Sequence, residues 1–159
     1  MIIGIHGSLG MGKDTIGTLL VKDYFDNGYD IISNMAFVKK YIDYRPMDLE
    51  EMLSLALYGK PFQEQLNPNY KGLVIYGSEW ESFMDSRMSQ DRTVIVNGYL
   101  IIQTRKRKIK WIYTAPKRGM NDKRIRELTD IIIYCEKHHF NTHKICFNED
   151  CLLEHYFVY

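Results

Sequence analysis

Short apolar runs alternate along the chain with segments in which apolar residues recur at helical spacing. Apolar runs predict buried strands at 1–6, 30–33, 73–76, 109–114 and 131–134. Helices are predicted between them, at 13–27, 48–58, 92–107 and 121–128. Strands separated by helices predict a parallel sheet with helices on both faces. The final stretch, 143–159, predicts two strands joined by a turn at 148–150, a hairpin that adds antiparallel strands to one edge of the sheet.

The composition fits one domain that covers the whole chain, 1–159, because 159 residues with 45% hydrophobic content can enclose one core. No apolar run reaches the roughly 18 residues that a membrane span needs. Met1 is followed by apolar residues and not by a basic segment, so a secretory signal is not expected. The odd number of cysteines, 3, indicates reduced thiols and a cytoplasmic location, in the host cytoplasm if the chain is viral.

A phosphate-binding pattern, G-x-x-x-x-G-K, joins the first predicted strand to the first predicted helix. Its glycines let successive backbone N–H groups face phosphate oxygens, and the start of the helix adds a positive dipole end. The lysine of the pattern, Lys13, reaches the β and γ phosphates. We therefore expect ATP and Mg²⁺ at a set of neighbouring residues: Gly7, Ser8, Gly10, Met11, Gly12, Lys13, Asp14 and Thr15.

The residue after the lysine departs from the pattern. A Ser or Thr hydroxyl usually binds Mg²⁺ there, whereas this chain has Asp14, followed by Thr15. Either side chain can offer an oxygen to the ion. Phosphoryl-transfer enzymes also place an acid after a later strand. The first acid after the strand at 73–76 is Glu79, the candidate for a further Mg²⁺ partner and for the catalytic base; alternatively, it only begins a helix.

Cysteines and histidines cluster late in the chain: Cys135, His138, His139, His143, Cys146 and Cys151. Both residue types bind zinc, but their spacing here matches no regular zinc motif. We interpret them as strand cysteines around a polar hairpin turn, with a zinc site as the alternative.

Further elements follow the phosphate loop in a recognisable order. Asp85, Ser86 and Arg87 come first, then a helix ending in Gln-Thr-Arg-Lys-Arg at 103–107, a strand at 111–114, and an Asp-x-Arg-x-Arg helix at 122–126. With the first strand, loop and helix, this order resembles the FtsK–HerA branch of P-loop ATPases over residues 1–135. The resemblance is greatest to zonula-occludens-toxin-like and archaeal viral genome-packaging ATPases.

The resemblance implies an α/β fold: a RecA-like P-loop three-layer sandwich with a mainly parallel sheet and a C-terminal β-hairpin. It implies an ATP-hydrolysing motor that forms a homo-oligomeric ring, such as a hexamer, and translocates or packages viral DNA. Whether a capsid protein or a membrane protein is a further partner stays open. Such motors complete the site with an arginine of the neighbouring subunit, for which Arg87, Arg124 and Arg126 are the candidates beside Lys13 and Glu79.

Three positions differ from the family pattern. The Walker B strand usually ends in Asp-Glu, and Gly77 and Ser78 stand there; Pro116 lies where a sensor glutamine is usual. Either the acids have shifted to Asp14 and Glu79, or hydrolysis is weak. Two other functions stay open. One is a small nucleoside or nucleotide kinase, which the Gly-Lys-Asp sequence also fits, and the other is a nucleotide-binding assembly protein with a decayed site.

The net charge of +1 conceals an uneven layout. Between residues 103 and 126 lie ten basic residues and one acid, so this segment carries +9 and the rest of the chain −8. Basic loops contact DNA phosphates without reading bases, and we expect such contacts at 105–110 and 117–118. The basic residues are Arg105, Lys106, Arg107, Lys108, Lys110, Lys117, Arg118, Lys123, Arg124 and Arg126.

Overall fold

A six-stranded parallel sheet forms the centre of the molecule. The computed structural model describes residues 1–58, 71–80, 91–104, 106–107, 109–117, 121, 123–148, 151 and 154–159. The strands are β1 (Ile2–His6), β2 (Tyr29–Ser33), β3 (Arg45–Pro46), β4 (Gly72–Gly77), β5 (Ile109–Ala115) and β6 (Ile131–Tyr134). Their order is β3-β2-β4-β5-β1-β6, and all neighbours pair in parallel.

Helices cover both faces of this sheet. They are α1 (Lys13–Asp26), α2 (Leu49–Tyr58), α3 (Arg92–Gln103) and α4 (Lys123–Leu128). Successive strand residues face opposite sides. Ile75 therefore packs with residues of α2, α3 and α4, whereas its neighbour Val74 packs with Val21 of α1. The predicted RecA-like three-layer sandwich is confirmed.

Strand β6 differs from its prediction, because it is not buried on both faces. Among the described strands it lies at the end of the sheet and pairs with β1 alone. Ile131 and Tyr134 are 44% and 57% exposed. A run of apolar residues predicts burial on both faces, but an edge strand also requires a neighbour to cover it.

A C-terminal β-hairpin is present, as predicted, but its position differs. Its arms are β7 (Glu136–His139) and β8 (His155–Val158), which pair in an antiparallel two-stranded sheet separate from the six-stranded one. The first arm therefore precedes residue 143. Its sequence, Glu-Lys-His-His, lacks the apolar alternation that predicts a strand, which is why the prediction left it outside the hairpin.

The parallel sheet brings several loops to one edge. Because the carboxyl ends of parallel strands meet there, the residues after β1, β2, β4 and β5 become neighbours although they are far apart in sequence. Among the described helices, none has both the length and the apolar character that a membrane span requires.

Candidate active site

The loop between β1 and α1 has the backbone shape of a phosphate-binding loop. Gly10 and Gly12 have φ values of 71° and 79°, in the left-handed region that side chains rarely adopt. The Met11 N–H donates to the Ser8 carbonyl at 3.3 Å, which closes a turn inside the loop. Gly12 then caps α1, since its carbonyl accepts from the Ile16 N–H at 3.2 Å. The loop thus delivers the chain directly into the first turn of a 14-residue helix.

Lys13 folds back over this loop. Its ammonium donates to the Ser8 carbonyl at 2.9 Å, and the residue is only 6% exposed. An ammonium has three N–H donors, so this contact leaves others for an anion. The positive charge is thereby held at the centre of the loop, where the pattern places phosphate.

Three hydroxyl groups converge on one oxygen of Asp14. Its Oδ1 accepts hydrogen bonds from Ser78 Oγ at 2.8 Å, Tyr76 Oη at 3.0 Å and Thr114 Oγ1 at 3.1 Å. Within the described residues, no hydrogen bond reaches Oδ2. The carboxylate is therefore fixed through one oxygen and presents the other to a ligand.

The Tyr76 hydroxyl reaches Asp14 because α1 approaches β4 closely at Gly17. A Cβ atom added to Gly17 would lie 2.5 Å from Tyr76 Oη. Burial raises the pKa of the Tyr76 phenol, and the nearby Asp14 carboxylate raises it further. The phenol thus stays protonated and serves as a hydrogen-bond donor at neutral pH.

The position of Ser78 is set by Asn34, which follows β2. The Asn34 amide donates to the Ser78 carbonyl at 2.8 Å, and its Oδ1 accepts from the Ser78 N–H at 2.8 Å. This two-bond contact ties the ends of neighbouring strands together. It holds the Ser78 hydroxyl toward α1.

The missing Walker B aspartate has a steric explanation at Gly77. A Cβ atom there would lie 1.9 Å from Cε3 of Trp80, whose ring is fully buried and makes an edge-to-face contact of 5.1 Å with Trp111. No side chain fits at Gly77 unless this indole moves. A carboxylate is nevertheless present beside Ser78, that of Asp14 on α1.

Glu79 lies beside this cluster with an exposed side chain. Its φ of 49° is left-handed, an uncommon conformation for glutamate. Its N–H donates to Thr114 Oγ1 at 3.1 Å, and the same hydroxyl donates to Asp14. One threonine thus connects the backbone of Glu79 to the Asp14 carboxylate.

The other predicted catalytic residues lie elsewhere. Thr15 is exposed on the first turn of α1. Arg124 and Arg126 are on α4, whose Ile125 packs in the core layer of α2 and α3, whereas Met11 of the loop packs on the other face. Within one chain, α4 and the phosphate loop thus pack on opposite faces of the sheet. Arg87 and its neighbours Asp85 and Ser86 lie outside the described residues.

A cavity of about 320 Å³ adjoins the phosphate loop. Its walls come from the loop, from the residues after β5 and β6, and from the hairpin segment: Gly7, Ser8, Met11, Pro116, Lys117, Tyr134, Cys135, Glu136, Ile145 and Phe147. A volume of this size is typical of small-molecule sites. The hairpin also places Tyr159 near the loop, since a Cβ on Gly12 would be 3.0 Å from its hydroxyl.

Cys135 packs beneath the loop. The residue is 3% exposed, and its carbonyl lies 2.6 Å from the position a Cβ on Gly7 would take. Burial raises the pKa of its thiol, and the nearby Lys13 ammonium counteracts only part of this effect. The Cys135 thiol therefore stays protonated at neutral pH and packs against the loop.

The predicted DNA-contacting residues form no single patch within the described part of the chain. Lys106 and Arg107 precede β5, whereas Lys117 follows it, so they lie at opposite edges of the sheet. Lys123 pairs with Glu127 at 3.5 Å on the surface of α4. Arg105, Lys108 and Arg118 lie outside the described residues.

The sequence singled out the loop, Lys13, Asp14 and Glu79 as candidates, but not the groups that surround Asp14. Ser78 was noted only as the residue at a usual acid position, and neither Thr114 nor Asn34 was considered a site residue. Both follow or end apolar strands, a position from which their convergence at one edge could have been expected. Tyr76 offered no such signal, because it continues a buried apolar run.

The fold is that of P-loop ATPases. The N-terminal domain of zonular occludens toxin from Neisseria meningitidis is 17% identical with a TM-score of 0.58, covering 84% of this chain and 75% of that one. The genome-packaging NTPase B204 of Sulfolobus turreted icosahedral virus 2, in complex with AMPPCP, is 11% identical with a TM-score of 0.60, covering 84% and 74%. No protein-family model and no curated protein sequence matches the chain. The predicted resemblance is thus confirmed at the level of the fold.

Proposed function

We propose that the chain binds ATP and Mg²⁺ at the phosphate loop and hydrolyses ATP to ADP and phosphate as part of a viral-type DNA-packaging or translocating motor. The observation that supports this most is the contact between Asp14 and Ser78 directly beside Lys13. P-loop NTPases hold Mg²⁺ with a hydroxyl on the helix and a carboxylate on the strand. Here both groups are present, with the carboxylate on α1 and the hydroxyl after β4.

The residues fit a magnesium ion. Oxygen ligands suit Mg²⁺, and Asp14 offers Oδ2 while Oδ1 is held by three hydroxyls. Glu79 directly follows Ser78 and Thr15 directly follows Asp14, and both stay in the candidate ligand set, although the Thr15 side chain is exposed. The ion, when bound, neutralises charge on the phosphate oxygens.

Lys13 and Glu79 have separate roles in this proposal. The Lys13 ammonium stabilises the negative charge that develops on the transferred phosphoryl group. The exposed Glu79 carboxylate accepts a proton from the attacking water or orients that water, since its backbone is fixed at the same edge by Thr114. The remainder of the nucleotide fits the cavity beside the loop, where Phe147 and Tyr134 offer aromatic surface to a purine base.

A ring would complete the site from a neighbouring subunit. Arg124 and Arg126 pack on the face of the sheet away from the phosphate loop, which suits a residue that acts in trans on the next subunit. Arg87 is the third candidate. The exposed apolar side of β6 supplies a surface that a neighbour could cover. B204 is a genome-packaging NTPase. The proposal assigns the same role to this chain, with DNA contacts through its basic residues and a cytoplasmic location.

Hydrolysis of Mg²⁺-ATP by the purified chain, with and without DNA, tests this function. Lys13→Ala should abolish hydrolysis and ATP binding. Lys22→Ala is the matched control, because Lys22 is an exposed residue of the same helix that pairs with Asp26. Equal loss in both variants, or no hydrolysis by the wild type at any protein concentration, would contradict the ATPase proposal.

Two other functions are separated by additional measurements. A nucleoside or nucleotide kinase would transfer phosphate from ATP to a nucleoside monophosphate or nucleoside, which product analysis by anion-exchange chromatography detects. An assembly protein with a decayed site would bind ATP through Lys13 without turnover. The molecular mass in solution, measured with ATP, then tests whether the chain forms a ring. A chain that stays monomeric under every condition would contradict ring formation.

A further inference from the structure

The C-terminal hairpin brings two cysteines and two histidines together. One ligand atom from each of His139, Cys146, Cys151 and His155 lies within 4.8 Å of all the others. Zn–S bonds of about 2.3 Å and Zn–N bonds of about 2.0 Å give tetrahedral edges of roughly 3.3–3.8 Å. The four atoms therefore need to close by only about an ångström to surround one ion. We propose that these four residues bind a structural zinc ion.

The hairpin backbone places these side chains on one side. His139 and His155 are directly opposite each other in β7 and β8, with ring centroids 4.8 Å apart. Directly paired residues in an antiparallel ladder point to the same face. The segment after β7 then folds back along the strand, because the Cys146 N–H donates to the Lys137 carbonyl at 2.7 Å. The backbone alone thus holds three of the four ligands near one another.

Two ring nitrogens of this cluster have no hydrogen-bond partner among the described residues, and the Cys146 thiol donates only a long hydrogen bond of 3.5 Å to the Asn148 carbonyl. Nδ1 of His139 and Nε2 of His155 are buried without a hydrogen-bond partner. Cys146 is 2% exposed and Cys151 is partly exposed, and both are free thiols. Buried polar atoms are normally paired, so two buried ring nitrogens beside two thiols point to a ligand.

The ligand set favours zinc over the hard cations. Two thiolates and two neutral imidazoles suit Zn²⁺ in a closed tetrahedral site, whereas Mg²⁺ and Ca²⁺ require oxygen ligands. Binding releases the two thiol protons and leaves a neutral centre, since two thiolate charges balance the ion. With four protein ligands there is no open position for water, which is typical of a structural site.

The proposed site differs from the interpretation of this region as cysteines around a polar turn, and its ligands differ from those considered in the zinc alternative. His138 is adjacent to His139 but faces the other way, and its ring bonds to Glu136 Oε2 at 2.9 Å and to the His143 carbonyl at 3.0 Å. His143 itself contacts the Tyr156 hydroxyl at 3.1 Å. The spacing of the actual set, His-x6-Cys-x4-Cys-x3-His, includes His155, which lies beyond the region considered.

Native mass spectrometry and elemental analysis of the full chain, purified under reducing conditions, test the site. We expect about one zinc per chain, with a mass that shows loss of two protons. Each of His139→Asn, Cys146→Ser, Cys151→Ser and His155→Asn should lose the metal. His138→Asn, His143→Asn and Cys135→Ser are matched controls that should retain it.

Cobalt titration of the metal-free wild type provides a readout that does not require a folded variant. Tetrahedral cobalt bound by two thiolates should give intense visible bands and a near-ultraviolet thiolate charge-transfer band, and zinc should remove both. The proposal would be overturned if the wild type contained no metal and gave no cobalt bands. A Cys146–Cys151 disulfide in the reduced preparation, or zinc still bound in the four variants, would also overturn it. Loss of zinc in the controls alone would likewise refute the assignment.

Discussion

The Ser78 hydroxyl donates a 2.8 Å hydrogen bond to the Asp14 carboxylate, across the gap between the end of β4 and the start of α1. In P-loop NTPases a carboxylate on the strand side and a hydroxyl on the helix side share the Mg²⁺ ion. The same two chemical groups meet here with their elements exchanged. Under the proposed function, the absence of an acid at Gly77 and Ser78 and the presence of Asp14 after Lys13 are two aspects of one exchange.

The exchanged positions of the carboxylate and the hydroxyl predict how substitutions at Asp14 and Ser78 combine. Asp14→Asn should lower kcat/KM for Mg²⁺-ATP by at least about 100-fold, because it removes the anionic oxygen offered to the ion. Asp14→Ser should be similarly inactive. The double variant Asp14→Ser with Ser78→Asp returns a hydroxyl to α1 and a carboxylate to the end of β4, and it should recover part of the activity. Steady-state hydrolysis over a range of Mg²⁺ concentrations measures all three.

Ser78→Asp alone is the control for the double variant, since it places two carboxylates side by side and should bind Mg²⁺-ATP poorly. Strict additivity of the two single losses in the double variant would show that Asp14 and Ser78 act independently. That result would contradict a shared metal site.

Packing around Gly77 predicts a large loss of stability on adding a single methyl group. Gly77→Ala should lower the free energy of unfolding by about 3 kcal/mol, because its Cβ would lie 1.9 Å from the buried Trp80 ring. Gly98→Ala is the matched control. Its Cβ would meet only the flexible end of Arg124, at 2.7 Å from Nη1, so we expect a change within about 1 kcal/mol. Urea unfolding compares the two, and equal midpoints would contradict this account of the missing acid.

Tyr76 predicts a specific stability change at alkaline pH. Burial raises the pKa of this phenol in the fold, whereas the unfolded chain titrates near 10. Below pH 10 the Tyr76 phenol is protonated in both the folded and the unfolded state, so its full contribution to the free energy of unfolding is present. Above it only the unfolded state loses the proton, so the free energy of unfolding falls by about 1.4 kcal/mol per pH unit on account of this residue.

Tyr76→Phe should remove this part of the decline, and the curve of unfolding free energy against pH should be shallower than that of the wild type above pH 10. Tyr99→Phe is the control, since Tyr99 is 64% exposed and should give a curve parallel to the wild type. Urea unfolding from about pH 8 to about pH 11 measures both. Parallel curves for Tyr76→Phe and the wild type would contradict the assignment.

The sequence predicted the sheet and the phosphate loop well because both have strong local signals. The apolar runs of β1, β4 and β5 and the glycine pattern before Lys13 depend on neighbouring residues only. The hydroxyls around Asp14 and the ligands around His155 depend instead on long-range pairing, and spacing in sequence does not encode it. The polar β7 was not predicted for the same reason, since its strand character comes from pairing with β8.

The basic residues predict two separable effects. Lys106 and Arg107 lie before β5 and Lys117 after it, so about 20 Å of strand separates them. Removing Lys106 and Arg107 together should weaken DNA binding uniformly across sequences and reduce the salt dependence by about two phosphate contacts. Lys117→Ala removes the same kind of charge beside the cavity, so it should reduce ATP affinity in addition to its part in DNA binding. Fluorescence anisotropy with labelled DNA and with labelled ATP compares the variants; a loss of ATP affinity in the Lys106 and Arg107 variant but not in Lys117→Ala would contradict this assignment.

The proposed zinc site predicts a coupling to nucleotide binding, which depends on both proposals. Cys146 lies between Ile145 and Phe147, which line the cavity, and β8 leads to Tyr159 beside Gly12. Cys151→Ser should therefore lower ATP affinity by about tenfold, because the wall of the cavity loses its anchor. His143→Asn, which keeps the four ligands, should bind ATP as the wild type does.

Zinc content measured on the same samples separates the two proposals. A metal-free Cys151→Ser chain with unchanged ATP affinity would refute only the coupling, whereas a wild type that binds zinc but no ATP would refute the proposed nucleotide site.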